Sequence, residues 1–142
     1  MAAIYYKDVF TEEDYLRVGA SVGWPAAERE QVANGLKNSV HLVSAVDAAN
    51  DSVVGIARCV GDGGMVAVLV DVAVLPDYQG KGIGSALVRL LLEKIKEDLH
   101  PGQKVMISLI AAHGREGFYR RFGFAASPDE NYGSNMYLWY FR

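Results

Sequence analysis

The chain has 142 residues, 51% of them hydrophobic, with a formal net charge of −3 and an isoelectric point near 5.6. That length fits one domain, residues 1–142, with a proper core and no room for a second catalytic domain. The mildly acidic balance and scattered basic residues argue against a nucleic-acid partner and suit attraction of cations instead.

A single cysteine, Cys59, excludes an intrachain disulfide and fits a reducing, cytoplasmic setting. Cys59 lies in the apolar run Val54 to Val60 and reads as a small buried hydrophobe rather than a nucleophile. No two of His41, His100 and His113 have metal-ligand spacing, so neither a structural nor a catalytic metal is expected. Met1 to Lys7 lacks the pattern of a signal peptide. The longest apolar run, Met65 to Leu75, is too short to cross a bilayer and carries Asp71 in its middle, so no membrane partner is expected.

Ile4-Tyr5-Tyr6 reads as a first strand. Thr11 followed by Glu12-Glu13-Asp14 is a helix start, a hydroxyl cap and then acids at the positive helix end. This helix is expected to run to about Val22, where Gly23-Trp24-Pro25 breaks it. Pro25 suits the first turn of a second helix ending near Gly35-Leu36. Strands follow at His41 to Val46 and Val53 to Val60, separated by a turn at Asn50-Asp51. Gly61-Asp62-Gly63-Gly64 is a hairpin turn. Met65 to Val74 is nearly all apolar, which places it mid-sheet with both faces covered. From Ile83 the period becomes helical through Ala86, Leu87, Leu90, Leu91 and Ile95, with Val88, Leu92 and Leu99 widening the apolar face. Pro101-Gly102 stops that helix. A strand at Val105 to Ala111, a short helix at Arg115 to Phe122 and a last strand at Asn135 to Phe141 complete the chain. The order β-αα-βββ-α-β-α-β implies one mixed α+β sheet with helices on both faces.

The most informative stretch is Val72-Ala73-Val74-Leu75-Pro76-Asp77-Tyr78-Gln79-Gly80-Lys81-Gly82-Ile83-Gly84-Ser85. A buried strand ends and a glycine-rich loop feeds straight into a helix. Glycines let backbone N–H groups approach a ligand closely. The first N–H groups of a helix have no partner inside it, and with the helix dipole they form an anion site. A phosphate or pyrophosphate ligand is implied. The dinucleotide pattern G-x-G-x-x-G fails, because the third glycine comes one residue early. The Walker pattern also fails, because Gly80-Lys81 is followed by Gly82.

Gln79, Gly82 and Gly84 do match Gln-x-x-Gly-x-Gly. With the preceding Val-x-Pro-Asp-Tyr, the long helix and the element order of essentially the whole chain, the sequence resembles the GNAT N-acetyltransferase family. The resemblance implies a GNAT fold, acetyl-coenzyme A as cosubstrate and transfer to a primary amine. The pyrophosphate donors it implies are Gln79, Gly80, Gly82, Ile83, Gly84 and Ser85, with Lys81 in the same loop. Val72, Ala73 and Val74 would carry the pantetheine arm as an added strand.

Phe118-Tyr119-Arg120-Arg121-Phe122-Gly123-Phe124 resembles the family's Phe-Tyr-x-x-x-Gly-Phe signature. Tyr119 matches the tyrosine that commonly protonates the departing thiolate, and Phe118 adjoins the cofactor. A thiol and a phenol have ordinary pKa values of roughly 8.5 and 10, so proton transfer between them is nearly balanced. Phe118 and Phe122 stand one helical turn apart and would anchor this helix in the core, turning Tyr119 to another face.

The attacking amine must lose a proton. Asp71, alone in an apolar strand, is the candidate base, directly or through a water, because burial pushes carboxyl groups toward a base's working range. Equally, it is an acid that caps a loop or holds an arginine. Glu28, Glu30 and Glu116 are weaker candidates for the base. His113 stands where many relatives have an asparagine, so no cofactor contact is carried over to it. It reads as a loop residue, while His41 and His100 read as structural or solvent-facing.

The resemblance places the acceptor near Trp24, Asp71 and Tyr132. The aromatic tail Asn135 to Tyr140 is similar to the C-terminal strand of plant serotonin N-acetyltransferases, which suits an arylalkylamine or polyamine. Strand aromatics equally serve packing. The resemblance also suggests a homodimer paired through the final strands. Three alternatives stay open: a protein or peptide N-acetyltransferase, a non-catalytic coenzyme A-binding sensor, and an acyl group other than acetyl.

Overall fold

A computed structural model describes residues 3–142. They form two compact units, one ending at Ser108 and one spanning Leu109–Arg142.

The first unit holds five strands: β1 (Ile4–Lys7), β2 (His41–Asp47), β3 (Ser52–Gly61), β4 (Val66–Val74) and β5 (Met106–Ser108). They lie in the order β1-β2-β3-β4-β5. Every pairing is antiparallel except β4 with β5, which is parallel. The β3–β4 hairpin turns on Asp62, whose Oδ1 accepts from the N–H groups of Gly64, Met65 and Val66 at 2.8, 2.8 and 3.1 Å.

Three helices belong to this unit: α1 (Glu12–Ser21), α2 (Arg29–Lys37) and α3 (Ile83–Glu97). Helix α1 starts where the sequence signals it. Thr11 Oγ1 accepts from Asp14 N and Asp14 Oδ2 accepts from Thr11 N, a reciprocal capping box. Helix α3 buries Ile83, Leu87, Val88, Leu91 and Ile95, the stripe its sequence period outlines. The two main helices sit on opposite faces of the sheet. A Cβ built on Gly55 would meet Leu87 and Ile83 of α3, whereas its neighbour Ile56 packs with Phe10, Val18 and Ala73 on the α1 side. The α+β architecture with helices on both faces is therefore as the sequence implies.

Three expectations differ from the structure: the strand expected over Val105 to Ala111 is confined to Met106–Ser108, and two others concern α2 and the C-terminal segment. Helix α2 begins at Arg29 and not at Pro25, because Glu28 caps it: its carboxylate accepts from the N–H groups of Glu30 and Gln31 at 3.1 and 2.8 Å. The cap fixes the start, and Pro25 falls in the irregular stretch before it. The last strand does not form either. Residues 124–142 carry no ladder, and Met136 to Phe141 are exposed. Aromatic and branched side chains favour strands by packing on a paired, pleated surface, and here no neighbouring strand supplies one. The second unit instead contains one short helix, α4 (Glu116–Arg120), continued by turns through Gly123. Among the described residues no helix is long and apolar enough to cross a membrane.

Candidate active site

Strand β4 sets up the site. Across its ladder with β3, Ile56 faces Ala73 while Arg58 faces Val70, so two steps along β3 match three along β4. The extra residue is a bulge, and Asp71 within it has φ of +59°. Aspartate is among the few residues that visit this left-handed region routinely. On the other side of β4, β5 pairs only with Val66, Ala67 and Val68. Beyond Val68 that strand no longer accompanies β4, and Val72, Ala73 and Val74 lie in this part.

Strand β4 leads into a 3₁₀ turn, Pro76–Tyr78, and then the glycine loop. Gln79 Nε2 donates to the carbonyl of Val74 at 2.9 Å, which stitches the loop to the last residue of the strand. Gly80 and Gly82 have φ of +75° and +82°, a region that side chains with a Cβ rarely adopt. Gly82 is the N-cap of α3, so it brings no side chain to satisfy the first-turn N–H groups, and that turn holds no acid. An uncapped helix start reached through left-handed glycines fits a pyrophosphate. Lys81 supplies a cation there, with its Nζ 5.5 Å from the Tyr78 ring centroid. The chemistry of this donor set thus fits the phosphate end of coenzyme A.

Asp71 does not stand alone. Arg58 Nε donates to its Oδ2 at 2.7 Å, with both side chains 19% exposed. Arg58 Nη1 also reaches Ser39 Oγ at 3.2 Å and the Gly35 carbonyl at 3.4 Å. Tyr15 donates to Asp71 Oδ1 at 3.4 Å, the long limit of a hydrogen bond. Burial and the negative charge of Asp71 raise the Tyr15 phenol above its ordinary value, with Arg58 opposing. The Trp24 ring lies 5.4 Å from that of Tyr15 with the planes tilted by 50°, and it packs on the core, half-buried. Arg58, Tyr15, Asp71 and Trp24 therefore form one cluster under α1. Sequence reading singled out Asp71 and Trp24 but not Arg58 or Tyr15. Arg58 had a signal, as the single cation in the apolar run Val53 to Val60.

The other acids have separate roles. Glu28 caps α2, and Glu30 and Glu116 are exposed in the first turns of α2 and α4. His41 Nε2 lies 2.6 Å from Asp98 Oδ2, a structural tie between β2 and the end of α3. His100 and His113 are exposed. Cys59 is buried, and burial raises its thiol above the ordinary value. Among the described residues no three His, Cys, Asp or Glu side chains cluster as a metal site.

In the second unit, Tyr119 is half-buried on α4. Its ring packs edge-on against Phe118 at 4.9 Å and Phe124 at 6.1 Å, and Phe118 meets Phe122 at 5.4 Å. Burial lifts the Tyr119 phenol above its ordinary value, against a smaller lowering by Arg115. It therefore keeps its proton at neutral pH, as an acid must before it acts. Tyr132 is 59% exposed in a turn where Asp129 Oδ1 accepts from its N–H at 2.8 Å.

The family model of the acetyltransferase (GNAT) domain matches residues 37–126, from α2 through the α4 region. The chain belongs to the GNAT family. This makes it an acetyl-coenzyme A-dependent N-acetyltransferase domain. The chain is 37% identical over 123 residues to serotonin N-acetyltransferase 2, chloroplastic, of Oryza sativa subsp. japonica, covering 84% of this chain and 59% of the rice protein. It is 33% identical over 129 residues to histone acetyltransferase TAP1 of Glycine max, covering 84% of this chain and 52% of that one. A solved GNAT-family acetyltransferase from Streptococcus pneumoniae superposes with a TM-score of 0.74 at 32% identity, covering 100% of this chain and 99% of its own. The two plant relatives are thus considerably longer than this chain.

Proposed function

We propose that this chain, acting as one N-acetyltransferase domain, transfers an acetyl group from acetyl-coenzyme A to a primary amine of a small molecule by direct attack within a ternary complex. The start of α3 carries this reading: an uncapped first turn, free of acids, entered through left-handed Gly80 and Gly82 at the end of β4. The N–H groups of Gly80, Gly82, Ile83, Gly84 and Ser85 bind the pyrophosphate, assisted by Lys81, while Gln79, whose own N–H donates to the Pro76 carbonyl at 3.2 Å, holds the start of the loop. Val72, Ala73 and Val74 offer main-chain groups to the pantetheine arm where β5 no longer flanks β4. When bound, the cosubstrate supplies an activated thioester.

The chain's own groups handle the protons. Asp71 Oδ1, held less tightly than the Oδ2 that Arg58 occupies, takes the amine proton directly or through a water. Tyr119, with Phe118 packed beside it, returns a proton to the leaving sulfur, consistent with its raised phenol. Trp24, Asp71 and Tyr132 contact the acceptor. The rice relative's name supports an arylalkylamine as the acceptor, with a polyamine as the other small amine. The soybean relative's name supports a second reading, a protein or peptide acceptor. The single buried thiol suits a cytoplasmic location. The exposed apolar side chains of Met136 to Phe141 favour pairing of two copies, which sedimentation velocity tests.

The deciding experiment is coenzyme A release from acetyl-coenzyme A with arylalkylamines, polyamines, amino acids and short peptides. Turnover is expected on one small-amine class. Tyr119→Phe lowers kcat about 10²- to 10⁴-fold, the usual contribution of a general acid, and leaves coenzyme A affinity unchanged. Turnover on peptides alone moves the acceptor to the second reading. Tight cofactor binding without turnover on any acceptor leaves a coenzyme A sensor.

A further inference from the structure

We propose that Asp47 and Tyr78 form a brace that fixes the start of the glycine loop, making Tyr78 a positioning residue for coenzyme A. The inference rests on reading residues 79–85 as the cofactor loop. Tyr78 is the last residue of the 3₁₀ turn, next to Gln79. Its hydroxyl donates to Asp47 Oδ2 at 2.6 Å. Asp47 ends β2, which is separated from β4 in the sheet by β3. The bond therefore ties the loop to a strand that contributes nothing else to the cofactor site.

The Asp47 end of the brace is fixed. The residue is 5% exposed, and its other carboxylate oxygen accepts from Ala49 N at 2.9 Å. Its carbonyl accepts from Asp51 N at 2.8 Å, closing the turn that follows β2. At the loop end, Gln79 is already stitched to Val74. Two ties, one to β4 and one across to β2, hold the residues immediately before Gly80. The Tyr78 ring also lies beneath Lys81 Nζ, so the same side chain orients the loop's cation.

The energetic reason is entropy. Gly80 and Gly82 precede the helix and have more backbone freedom than residues with a Cβ, and a ligand that orders them must offset its loss. A contact that orders the start of the loop beforehand reduces that cost. Removing the Tyr78 hydroxyl leaves the ring under Lys81 in place and cuts only the tie.

The test uses the full chain and two independent readouts. Amide hydrogen exchange over residues 79–85 is measured without ligand, and coenzyme A is titrated calorimetrically into wild type and Tyr78→Phe. Exchange in the loop is expected to rise in the variant. Its Kd for coenzyme A should rise about fivefold to tenfold, the loss expected for about one net hydrogen bond. The KM for acetyl-coenzyme A should follow, while kcat stays within about twofold, a split that a general loss of structure does not produce. Asp47→Asn has one carbonyl oxygen where Asp47 uses two, so with that oxygen kept by Ala49 N its NH2 meets the Tyr78 hydroxyl and the charge-assisted bond is lost; loop exchange and Kd should both rise, by less than in Tyr78→Phe. It also serves as the test should Tyr78→Phe fold poorly: raised loop exchange with weakened coenzyme A affinity then supports the brace, and exchange and affinity both at wild-type values overturn it. Unchanged loop exchange and unchanged affinity in Tyr78→Phe overturn the brace. Wild-type protein that does not bind coenzyme A overturns the reading of the loop, a failure seen in a different measurement.

Discussion

The hydrogen bond from Tyr78 to Asp47 shifts both groups in the directions a shared proton requires. The bond from Tyr78, then that from Ala49, holds the Asp47 carboxyl below the ordinary carboxylate value, opposed by burial and aided by Lys81. The bond to Asp47, then burial and the negative charges of Asp47 and Asp77, push the Tyr78 phenol above its own. A depressed carboxyl contributes stability above its unfolded value and loses it as pH falls through the folded one. A raised phenol contributes below its unfolded value and loses it as pH rises through the folded one. The window in which both contribute therefore runs from about pH 4 to about pH 10. The difference in melting temperature between wild type and Tyr78→Phe should be flat across that window and shrink below it. A difference that persists unchanged at strongly acid pH would mean the hydroxyl acts through something other than Asp47. This pairing was not legible in the sequence: Tyr78 ends the Val-x-Pro-Asp-Tyr stretch, but nothing there points to Asp47, 31 positions away. The pairing of Asp71 with Arg58 was half legible. An acid in an apolar strand asks for a partner, but only the bulge and its register decide that the partner is Arg58.

Elements were legible where their signals were local. The capping box of α1, the apolar stripe of α3 and the glycine loop each occupy a few consecutive turns, and the chain folds there as the pattern says. The last strand was misread because a strand is a property of two segments, and only one of them is written at Asn135 to Phe141. Helix α1 carries a constraint that its sequence conceals. Gly19 lies in its interior, where alanine is ordinarily better by about 1 kcal/mol. Yet a Cβ there would stand 2.5 Å from Trp24 Cε3, on a rigid ring already packed against Tyr15. Overpacking of this kind costs about 1–3 kcal/mol, enough to match or exceed the helical gain. Gly19→Ala should therefore lower the urea midpoint of the chain. A midpoint at or above wild type would show that Trp24 moves aside freely.

For the whole molecule, the family model spans most of the ordered elements, and the sheet with its two helical faces is the part that the sequence order conveys. The chain spans little more than half of each plant relative, so the kinetic experiments above report on the catalytic domain itself. That domain also carries its own optical reporters. Its two tryptophans differ sharply: Trp24 is half-buried against Gly19 in the first unit, whereas Trp139 is 73% exposed in the second. An aqueous quencher such as iodide should extinguish the emission of Trp139 and largely spare that of Trp24. In a Trp139→Phe background the remaining fluorescence belongs to one ring, next to Tyr15 and one residue removed from Asp71. An amine that settles against that cluster should change its intensity or wavelength before any chemistry occurs. Acceptors could then be screened by light, with no thioester present.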